Sequence, residues 1–209
     1  MRGLRRPLGI AATAAFVVLA AAACASASPG GSPPPTSPRA VTPVPPEGEV
    51  AATGTVLDTG GVTQLCLGAV AESFPPQCSG IPLEGWAWGG LEGAESSGDV
   101  TWGAYAVRGT YDGETFTSVQ PPILLALYDP IRPEDPTGGK PGKGDEATLA
   151  AIQDELPEKL GDAYLASYPQ DGRLWVDVVW DDGSRQAAVD AEYGADTVVI
   201  RSAITETGG

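Results

Sequence analysis

The amino-acid sequence predicts an α+β protein: a small β-rich unit of the OB-barrel type, braced by one disulfide, followed by a small αβαβ unit. Short apolar segments separated by glycine and proline turns occupy residues 49–128, which favours several short strands. Residues 145–205 instead combine apolar side chains at helical spacing with two strand-like runs. Cys66 and Cys78 both lie in the β-rich part, so a disulfide between them would close a loop of that unit.

Residues 1–23 predict an export signal. Three arginines near the start are followed by an uncharged apolar run and by four alanines that lead directly to Cys24. This arrangement resembles the lipobox of bacterial lipoproteins, which implies that the Cys24 thiol receives a diacylglycerol and that Cys24 becomes the new N-terminus. An ordinary secretory signal cleaved near Ala23 or Ala27 and an uncleaved anchor helix are the alternatives. The lipoprotein interpretation places the protein at the extracytoplasmic face of the cell membrane, held by its acyl chains.

Residues 24–48 predict a disordered linker. After Cys24 they contain eight prolines together with serine and glycine, and almost nothing to bury. Such a chain has polyproline II character and, at about 3.1 Å per residue, spans roughly 70 Å when it is extended. The linker would hold the folded part away from the bilayer.

The β-rich unit, residues 49–128, begins with a predicted strand at residues 50–57. Two adjacent prolines exclude a central strand or helix between Cys66 and Cys78, so this stretch is predicted to be a loop closed by a disulfide. Such a crosslink stabilises by about 3 kcal/mol in the chain-entropy model. Disulfides form in oxidising compartments, so this pairing agrees with export and leaves Cys24 for lipidation.

Aromatic and apolar residues indicate the following strands. Trp86 and Trp88 alternate, which predicts that they share one face of a short strand, and Trp102 lies in the next strand. The Asp-Gly pair at residues 112–113 predicts a tight hairpin of the type I′ form. The uninterrupted apolar run at residues 123–128 predicts a strand that is buried on both faces.

Residues 129–144 are too rich in proline and glycine for regular structure and predict a loop or linker. In the αβαβ unit, residues 145–205, Asp145 is placed to cap a helix whose apolar residues are spaced by three and four. These residues are Leu149, Ile152, Leu156 and Leu160. Pro157 lacks the N–H that a helix interior needs, so a kink or a second short turn is expected there.

The end of the chain predicts a parallel pair of strands. A strand at residues 174–180 leads through a turn into a short helix at residues 185–193, capped by Ser184, and then into a last strand at residues 197–204. A strand–helix–strand unit of this kind forms a right-handed crossover between parallel strands. Residues 206–209 are predicted to be a disordered tail.

Composition restricts the partners and the chemistry. The formal charge is −15, and loss of the three arginines of residues 1–23 would leave nine basic against 27 acidic residues, a charge of about −18. Such a surface repels nucleic acid, so no nucleic-acid partner is predicted. The chain has no histidine, which excludes Ser-His and Cys-His catalytic arrangements. We predict no catalytic residue, no metal site of a known motif and no cofactor.

Two small groups of residues are candidates for binding. Trp86 and Trp88 are adjacent aromatic side chains that either stack on a sugar or a partner, or fill the core of a small barrel. Asp181 and Asp182 lie in the densest acidic segment. They either contribute to an irregular Ca²⁺ site or serve the geometry of a turn, because their spacing does not match an EF-hand.

Six short motifs carry a second resemblance. They are Cys66-Leu67-Gly68, Pro75-Pro76-Gln77-Cys78, Gly85-Trp86-Ala87-Trp88, Gly109-Thr110-Tyr111-Asp112-Gly113, Trp180-Asp181-Asp182-Gly183-Ser184 and Glu192-Tyr193-Gly194. With these motifs, residues 50–205 resemble uncharacterised actinobacterial secreted lipoproteins. The resemblance implies a class and an origin, and it carries no assigned activity.

The function predicted from the sequence is a membrane-anchored, non-enzymatic binding or interaction module of the cell envelope. Its expected partners are the membrane, through the lipid anchor, and an envelope protein or a wall glycan. One alternative is a carboxylate-dependent cell-wall hydrolase, for which two acidic side chains would have to share a pocket. The other alternative is a solute-capture lipoprotein of a transporter.

Overall fold

A computed structural model gives the fold for residues 37–130 and 135–208. The predicted signal peptide and the predicted lipidation site Cys24 lie outside these described residues. Two sheets, of eight and of three strands, and two α-helices carry the described structure.

The larger sheet closes into a barrel. Its first seven strands are β1 (Val50–Thr59), β2 (Thr63–Cys66), β3 (Ile81–Glu84), β4 (Glu95–Ser97), β5 (Val100–Tyr111), β6 (Phe116–Ser118) and β7 (Ile123–Leu124). Neighbouring strands follow the order β1-β2-β3-β6-β5, and β5 pairs back with β1. The β3–β6 pair is parallel and the other pairs of this ring are antiparallel. This closed five-stranded barrel confirms the predicted α+β class with an OB-like barrel.

The barrel core includes side chains from both halves of the chain. A continuous ladder joins β1 to β5, and a Cβ at Gly109 on β5 would clash with the carbonyl oxygen of Thr117 on β6, so this crossing needs glycine. Buried apolar residues fill the interior. They are Val50, Ala52, Val56, Leu65, Leu83, Tyr105, Val107, Tyr111, Phe116, Val179 and Ile204. The last two belong to the C-terminal half, which thus contributes to the barrel core and also forms a second buried cluster of its own between its helices and its sheet.

The C-terminal half contains one strand more than predicted. Its elements are α1 (Glu146–Leu160), β8 (Tyr164–Gln170), β9 (Arg173–Val178), α2 (Ser184–Tyr193) and β10 (Val198–Ser202). The parallel pairing of β9 with β10 confirms the crossover prediction. The additional strand β8 pairs antiparallel with β9, so the order is αββαβ rather than αβαβ. The β8 residues are half-buried or exposed without regular alternation, which removes the period that reveals a strand.

Helix α1 forms as predicted and ends at Leu160, the last of its four predicted apolar residues. Asp145 caps it by accepting a hydrogen bond from the Thr148 N–H at 3.0 Å, and the four predicted apolar residues are buried. The helix continues through Pro157 to Leu160, so the expected second short turn does not begin at Pro157. Gly161, with φ 56°, ends the helix, and its N–H donates to the Pro157 carbonyl.

The apolar run at residues 123–128 is not a buried strand. Only Ile123–Leu124 form β7, and a 3₁₀ turn follows at Leu125–Leu127. The side chains of Ile123, Leu125 and Leu127 are exposed. β7 pairs with β5 on one side, and the prediction was wrong because an apolar run does not show whether a second layer covers it.

The hairpin between β5 and β6 turns through four residues rather than two. Tyr111 pairs with Phe116, and a positive φ occurs at Gly113 (103°) but not at Asp112, so the expected type I′ form is wrong. The Asp112 side chain instead accepts hydrogen bonds from two backbone N–H groups of the turn, at 2.9 and 2.7 Å. These side-chain hydrogen bonds stabilise a four-residue turn in which Asp112 does not need the positive φ that a two-residue type I′ turn requires.

Residues 37–48, predicted as part of a disordered linker, pack on the protein. A 3₁₀ turn at Pro38–Ala40 buries Pro38 and contacts both helices. Arg39 pairs with Glu158 of α1 at 3.1 Å. Residues 41–48, which we call the strap, then run to β1 without regular secondary structure. Proline-rich composition predicts an extended chain but does not say whether that chain docks.

The described end of the chain returns to the barrel. β11 (Thr205–Glu206) pairs with the start of β1, and the Thr207 N–H donates to the Glu49 carbonyl at 3.0 Å. Residues 206 and 207, expected in a disordered tail, are therefore hydrogen-bonded. A two-residue strand that pairs with the barrel forms through tertiary contact, so its sequence shows no recognisable strand pattern.

The described part of the predicted loop at residues 129–144 is also docked. The N–H groups of Gly142 and Gly144 donate to the carbonyls of Asp171 and Gly172 at 2.7 and 2.9 Å. The loop therefore lies along the turn between β8 and β9.

Candidate ligand-binding cleft

A cleft of about 1200 Å³ lies between the barrel and the C-terminal half. Its walls come from β2 and β3, the β5–β6 turn, the α1–β8 connection, the start of α2 and the strap. Its main side chains are those of Pro43, Leu65, Tyr111, Leu165, Trp180 and Arg185. Segments far apart in sequence thus meet around one space.

The inner surface of the cleft is part polar and part apolar, and its apolar part comes from both halves of the chain. Leu65 of β2 is fully buried in the barrel core, and Ile81 of β3 packs against the same core. Leu165 of β8 and Val179, which follows β9, complete this surface from the C-terminal half.

The strap forms one wall and is fixed by two hydrogen bonds at a single residue. The Trp180 Nε1 donates to the carbonyl oxygen of Val44 at 2.9 Å. The N–H of Val44 donates to Asp182 Oδ2 at 2.8 Å. Pro43 and Pro45, on either side of Val44, line the cleft. The segment between β9 and α2 therefore holds the strap in place.

The β5–β6 turn contributes a buried tyrosine. The Tyr111 hydroxyl donates to the carbonyl of Gly113 at 2.7 Å, and the side chain is 6% exposed. Burial raises the pKa of Tyr111, and the adjacent Asp112 carboxylate raises it further. The hydroxyl therefore keeps its proton at neutral pH.

The rim of the cleft carries negative charge. Asp112, Glu114 and Asp162 are exposed and line it. Hydrogen bonds from the backbone N–H groups of Thr115 and Glu114 lower the pKa of Asp112, which keeps this carboxylate ionised.

Arg185, the second residue of α2, supplies a positive charge to the cleft. It is half-buried, and its Nε is fully enclosed without a hydrogen-bond partner. Within residues 37–130 and 135–208 it forms no ion pair. Burial lowers the pKa of Arg185, although the charges of Asp181, Tyr111 and Asp182 act in the opposite direction. Arginine remains protonated in proteins, so the charge is fixed.

Two other basic side chains that are shielded from solvent are paired, unlike Arg185. They are Lys159, with Glu155 and Glu192, and Arg173, with Asp196. The acid beside Arg185 is used differently: both Asp181 oxygens accept backbone N–H groups, those of Arg185 at 2.8 Å and Gln186 at 3.3 Å. Asp181 is thereby engaged with the backbone and forms no ion pair with Arg185.

Trp86 and Trp88, the predicted aromatic pair, do not line this cleft. Gly85, with φ 70°, follows the end of β3, so the expectation that the two tryptophans share a strand is wrong. Their rings pack edge to face with centroids 5.3 Å apart, and both pack against Tyr105. Trp88 Nε1 also donates to Asp58 Oδ2 at 3.3 Å. Both rings are half-buried against the barrel core, and a role in binding stays a prediction.

Asp181 and Asp182, the candidates for Ca²⁺, are occupied by protein donors. Asp181 caps α2, and Asp182 accepts the N–H groups of Ser184 and Val44. The helix begins at Ser184 with Gly183 as its cap residue, so Ser184 is not the cap that we expected. In the part of the chain that the structure describes, no group of three or more metal-ligating side chains comes together.

The predicted disulfide joins Cys66 at the end of β2 to Cys78, with Cα atoms 6.0 Å apart. It fixes the loop that leads into β3 and hence the wall of the cleft next to Gly80 and Ile81. Cys24, the third cysteine, is outside the described residues.

Sequence reasoning did not identify Arg185 or Tyr111. One signal was available for Arg185: it is among few basic residues in an acidic chain, and it follows a turn that starts a helix. The burial and the lack of a partner come from packing between distant segments, which no local pattern reports. Tyr111 was assigned only to a turn.

No family model, no curated protein and no solved structure matches the chain. Among the helices of the described residues, none is long and apolar enough to cross a membrane. Fold and cleft define an OB-like barrel protein with an αββαβ extension and a candidate site where the two meet.

Proposed function

We propose that this protein is a lipid-anchored, non-enzymatic binding module of the cell envelope and that its ligand occupies the cleft around Arg185. The observation that carries this proposal is a half-buried arginine that lines the cleft and forms no ion pair in the described residues. An anion that binds its guanidinium gains charge-assisted hydrogen bonds without displacing a carboxylate of the protein.

The position of the cleft on the barrel supports binding. OB barrels bind ligands on the face of their second and third strands and in the loop between the fourth and fifth. The equivalent parts here are β2, β3 and the β5–β6 turn, and all three line the cleft, whereas the loop between the first two strands, which OB barrels also use, does not. This support is an analogy of fold, so the ligand has to be inferred from the site itself.

The disulfide supports a location outside the cytoplasm. Disulfides persist in oxidising compartments, and Cys66 pairs with Cys78. Cys24 is then the remaining cysteine, as the lipoprotein hypothesis requires. Labelling with an alkyne fatty acid in cells, compared between the natural chain and Cys24→Ala, tests the anchor. Equal incorporation into both chains would reject lipidation at Cys24.

The hydrolase alternative finds less support in the cleft. A general acid at neutral pH needs a raised pKa. The aspartates and glutamates with a resolved shift, Asp112 among them, have a lowered pKa. A solute-capture role is compatible with the cleft and differs from a simple binding module in the identity of the protein that receives the ligand.

A cleft-filling substitution tests the proposal. Ala163, between α1 and β8, lines the cleft, so Ala163→Trp would occupy it. Ala151 is exposed on α1, and Ala151→Trp is the matched control. We expect small molecules extracted from purified natural protein and from the control to include a compound that Ala163→Trp lacks. Recovery of the same compounds from all three proteins would reject the cleft as the binding site.

A further inference from the structure

The cleft joins one cationic group to an apolar surface. Arg185 presents a planar guanidinium that matches the geometry of a carboxylate, and its Nε is already removed from water. Aliphatic side chains and prolines form the apolar part of the surrounding surface. A ligand that fits both features has one anionic group and an apolar body.

Rim charge restricts the anion further. Asp112, Glu114 and Asp162 lie at the cleft, and the chain as a whole has a formal charge of −15. Each additional negative charge on a ligand meets repulsion from these groups, whereas a single charge on Arg185 is compensated directly. The site therefore discriminates against nucleotides, polyphosphates and anionic polymers.

The volume also limits the ligand. Typical small-molecule pockets have about 300–1000 Å³, and the cleft of about 1200 Å³ is somewhat larger than this range. An alkyl or aromatic body of ten or more carbons fits within it, alongside the bound carboxylate.

On the basis of the binding function proposed above, we propose that the cleft binds an amphipathic monocarboxylate, with the carboxylate on Arg185 and the apolar body against the half-buried side chains of Leu67, Ile81 and Leu165. The strap covers the site through Pro43 and Pro45. Tyr111 donates its proton to Gly113 and so offers its oxygen rather than its proton, which leaves Arg185 as the anchor.

Calorimetric titration with a matched set of ligands tests this. Decanoate, decanol and decylammonium share one alkyl chain and differ in charge. We expect decanoate to bind the full chain about tenfold or more tightly than decanol, since a charge-assisted hydrogen bond contributes at least a factor of this size. Decylammonium, which Arg185 repels, is expected to bind more weakly than decanoate.

Two arginine substitutions provide the controls. Arg185→Gln is expected to weaken decanoate binding about tenfold and to leave decanol binding unchanged. Arg108→Gln removes the same charge from an exposed position on β5 outside the cleft and is expected to change neither. Arg185→Lys keeps the charge without the planar guanidinium, and its affinity for decanoate is expected to lie between those of the natural chain and Arg185→Gln. Thermal unfolding checks that all variants are folded.

Equal affinity for decanoate and decanol, or unchanged decanoate binding in Arg185→Gln, would overturn the monocarboxylate assignment and leave the cleft as a binding site for a neutral ligand. Absence of binding by all three decyl compounds also overturns the assignment. The comparison of extracts from the natural chain and Ala163→Trp then decides separately whether the cleft binds any ligand.

Discussion

The indole Nε1 of Trp180 donates a hydrogen bond to the carbonyl oxygen of Val44 at 2.9 Å, across 136 residues of sequence. This contact turns a proline-rich stretch into a wall of the cleft. Val44 also donates its N–H to Asp182. The segment between β9 and α2 therefore holds the strap with one donor, Trp180, and one acceptor, Asp182. In sequence, the strap lies on the C-terminal side of Cys24, between that residue and β1.

Loss of the Trp180 donor is expected to loosen the strap. Trp180→Phe keeps an aromatic ring but removes the bond to Val44, which contributes about 1 kcal/mol. Hydrogen–deuterium exchange at Val41, Thr42 and Val44, the residues of the strap before Glu47 that carry an N–H, should become roughly fivefold faster. Trp175→Phe is the control, because the Trp175 Nε1 has no partner within the described residues. Equal exchange in the two variants would show that the Trp180–Val44 bond does not hold the strap.

The strap contact is expected to depend on pH through Asp182. Burial raises the pKa of this carboxyl, but hydrogen bonds from Ser184 and the Val44 N–H outweigh burial and place the pKa below its usual value of 3.8. A depressed pKa means stability that is present above pH 3.8 and lost as the pH falls through the folded-state pKa. Asp182→Asn should therefore lower the free energy of unfolding at pH 6 and differ less from the natural protein at pH 3. Urea denaturation at both values measures this, and a constant difference would contradict it.

Reduction of the disulfide is expected to destabilise the barrel. Removing a native disulfide typically costs about 2–5 kcal/mol. Urea denaturation of the natural chain should shift to lower urea on addition of a reductant, whereas the double variant Cys66→Ala, Cys78→Ala should not respond. A response of the double variant as large as that of the natural chain would assign the effect to something other than this bond.

Trp86 is expected to act mainly in the barrel core. Because it packs against Trp88 and Tyr105, Trp86→Ala should lower the free energy of unfolding by roughly 2–3 kcal/mol. Phe74, which is 76% exposed, serves as the matched aromatic control, and Phe74→Ala should have a much smaller effect. If Trp86→Ala leaves stability unchanged and abolishes binding to wall glycan, the sugar platform of the sequence prediction is the better account.

Asp181 is expected to stabilise α2 without calcium. Its side chain accepts two backbone N–H groups at the start of the helix, and loss of such a cap costs about 1 kcal/mol. Asp181→Ala should lower the melting temperature, while Ca²⁺ should leave the melting temperature of the natural protein unchanged. A rise with Ca²⁺ that Asp181→Ala abolishes would restore the metal hypothesis.

The sequence predicted those elements whose residues carry a regular period. Helix α1 has four buried residues at spacings of three and four, and β9 with β10 enclose a short helix, so these were found. Predictions from composition were wrong where they depended on whether other parts of the folded chain cover a segment, which composition does not show. The strap and the run at residues 123–128 both show this, because the strap is docked and the apolar run is exposed.

Local sequence patterns could not predict the candidate site, for a physical reason. It assembles a strand pair, a turn, a helix start and a strap that are separated by many residues, and its central property is that Arg185 lacks a partner. Whether a charged side chain is buried without a partner depends on how the folded chain packs. Trp86 and Trp88, which are adjacent in sequence, were more visible, although packing places them at the barrel core.

The most direct test of ligand binding in the cleft is hydrogen–deuterium exchange of the full chain with and without a small-molecule extract of the cell envelope. We predict slower exchange in the cleft segments, residues 42–45, 79–82, 111–114 and 160–165. Protection confined to the exposed apolar residues 119–127, or no protection anywhere, would contradict the assignment of the cleft as the binding site.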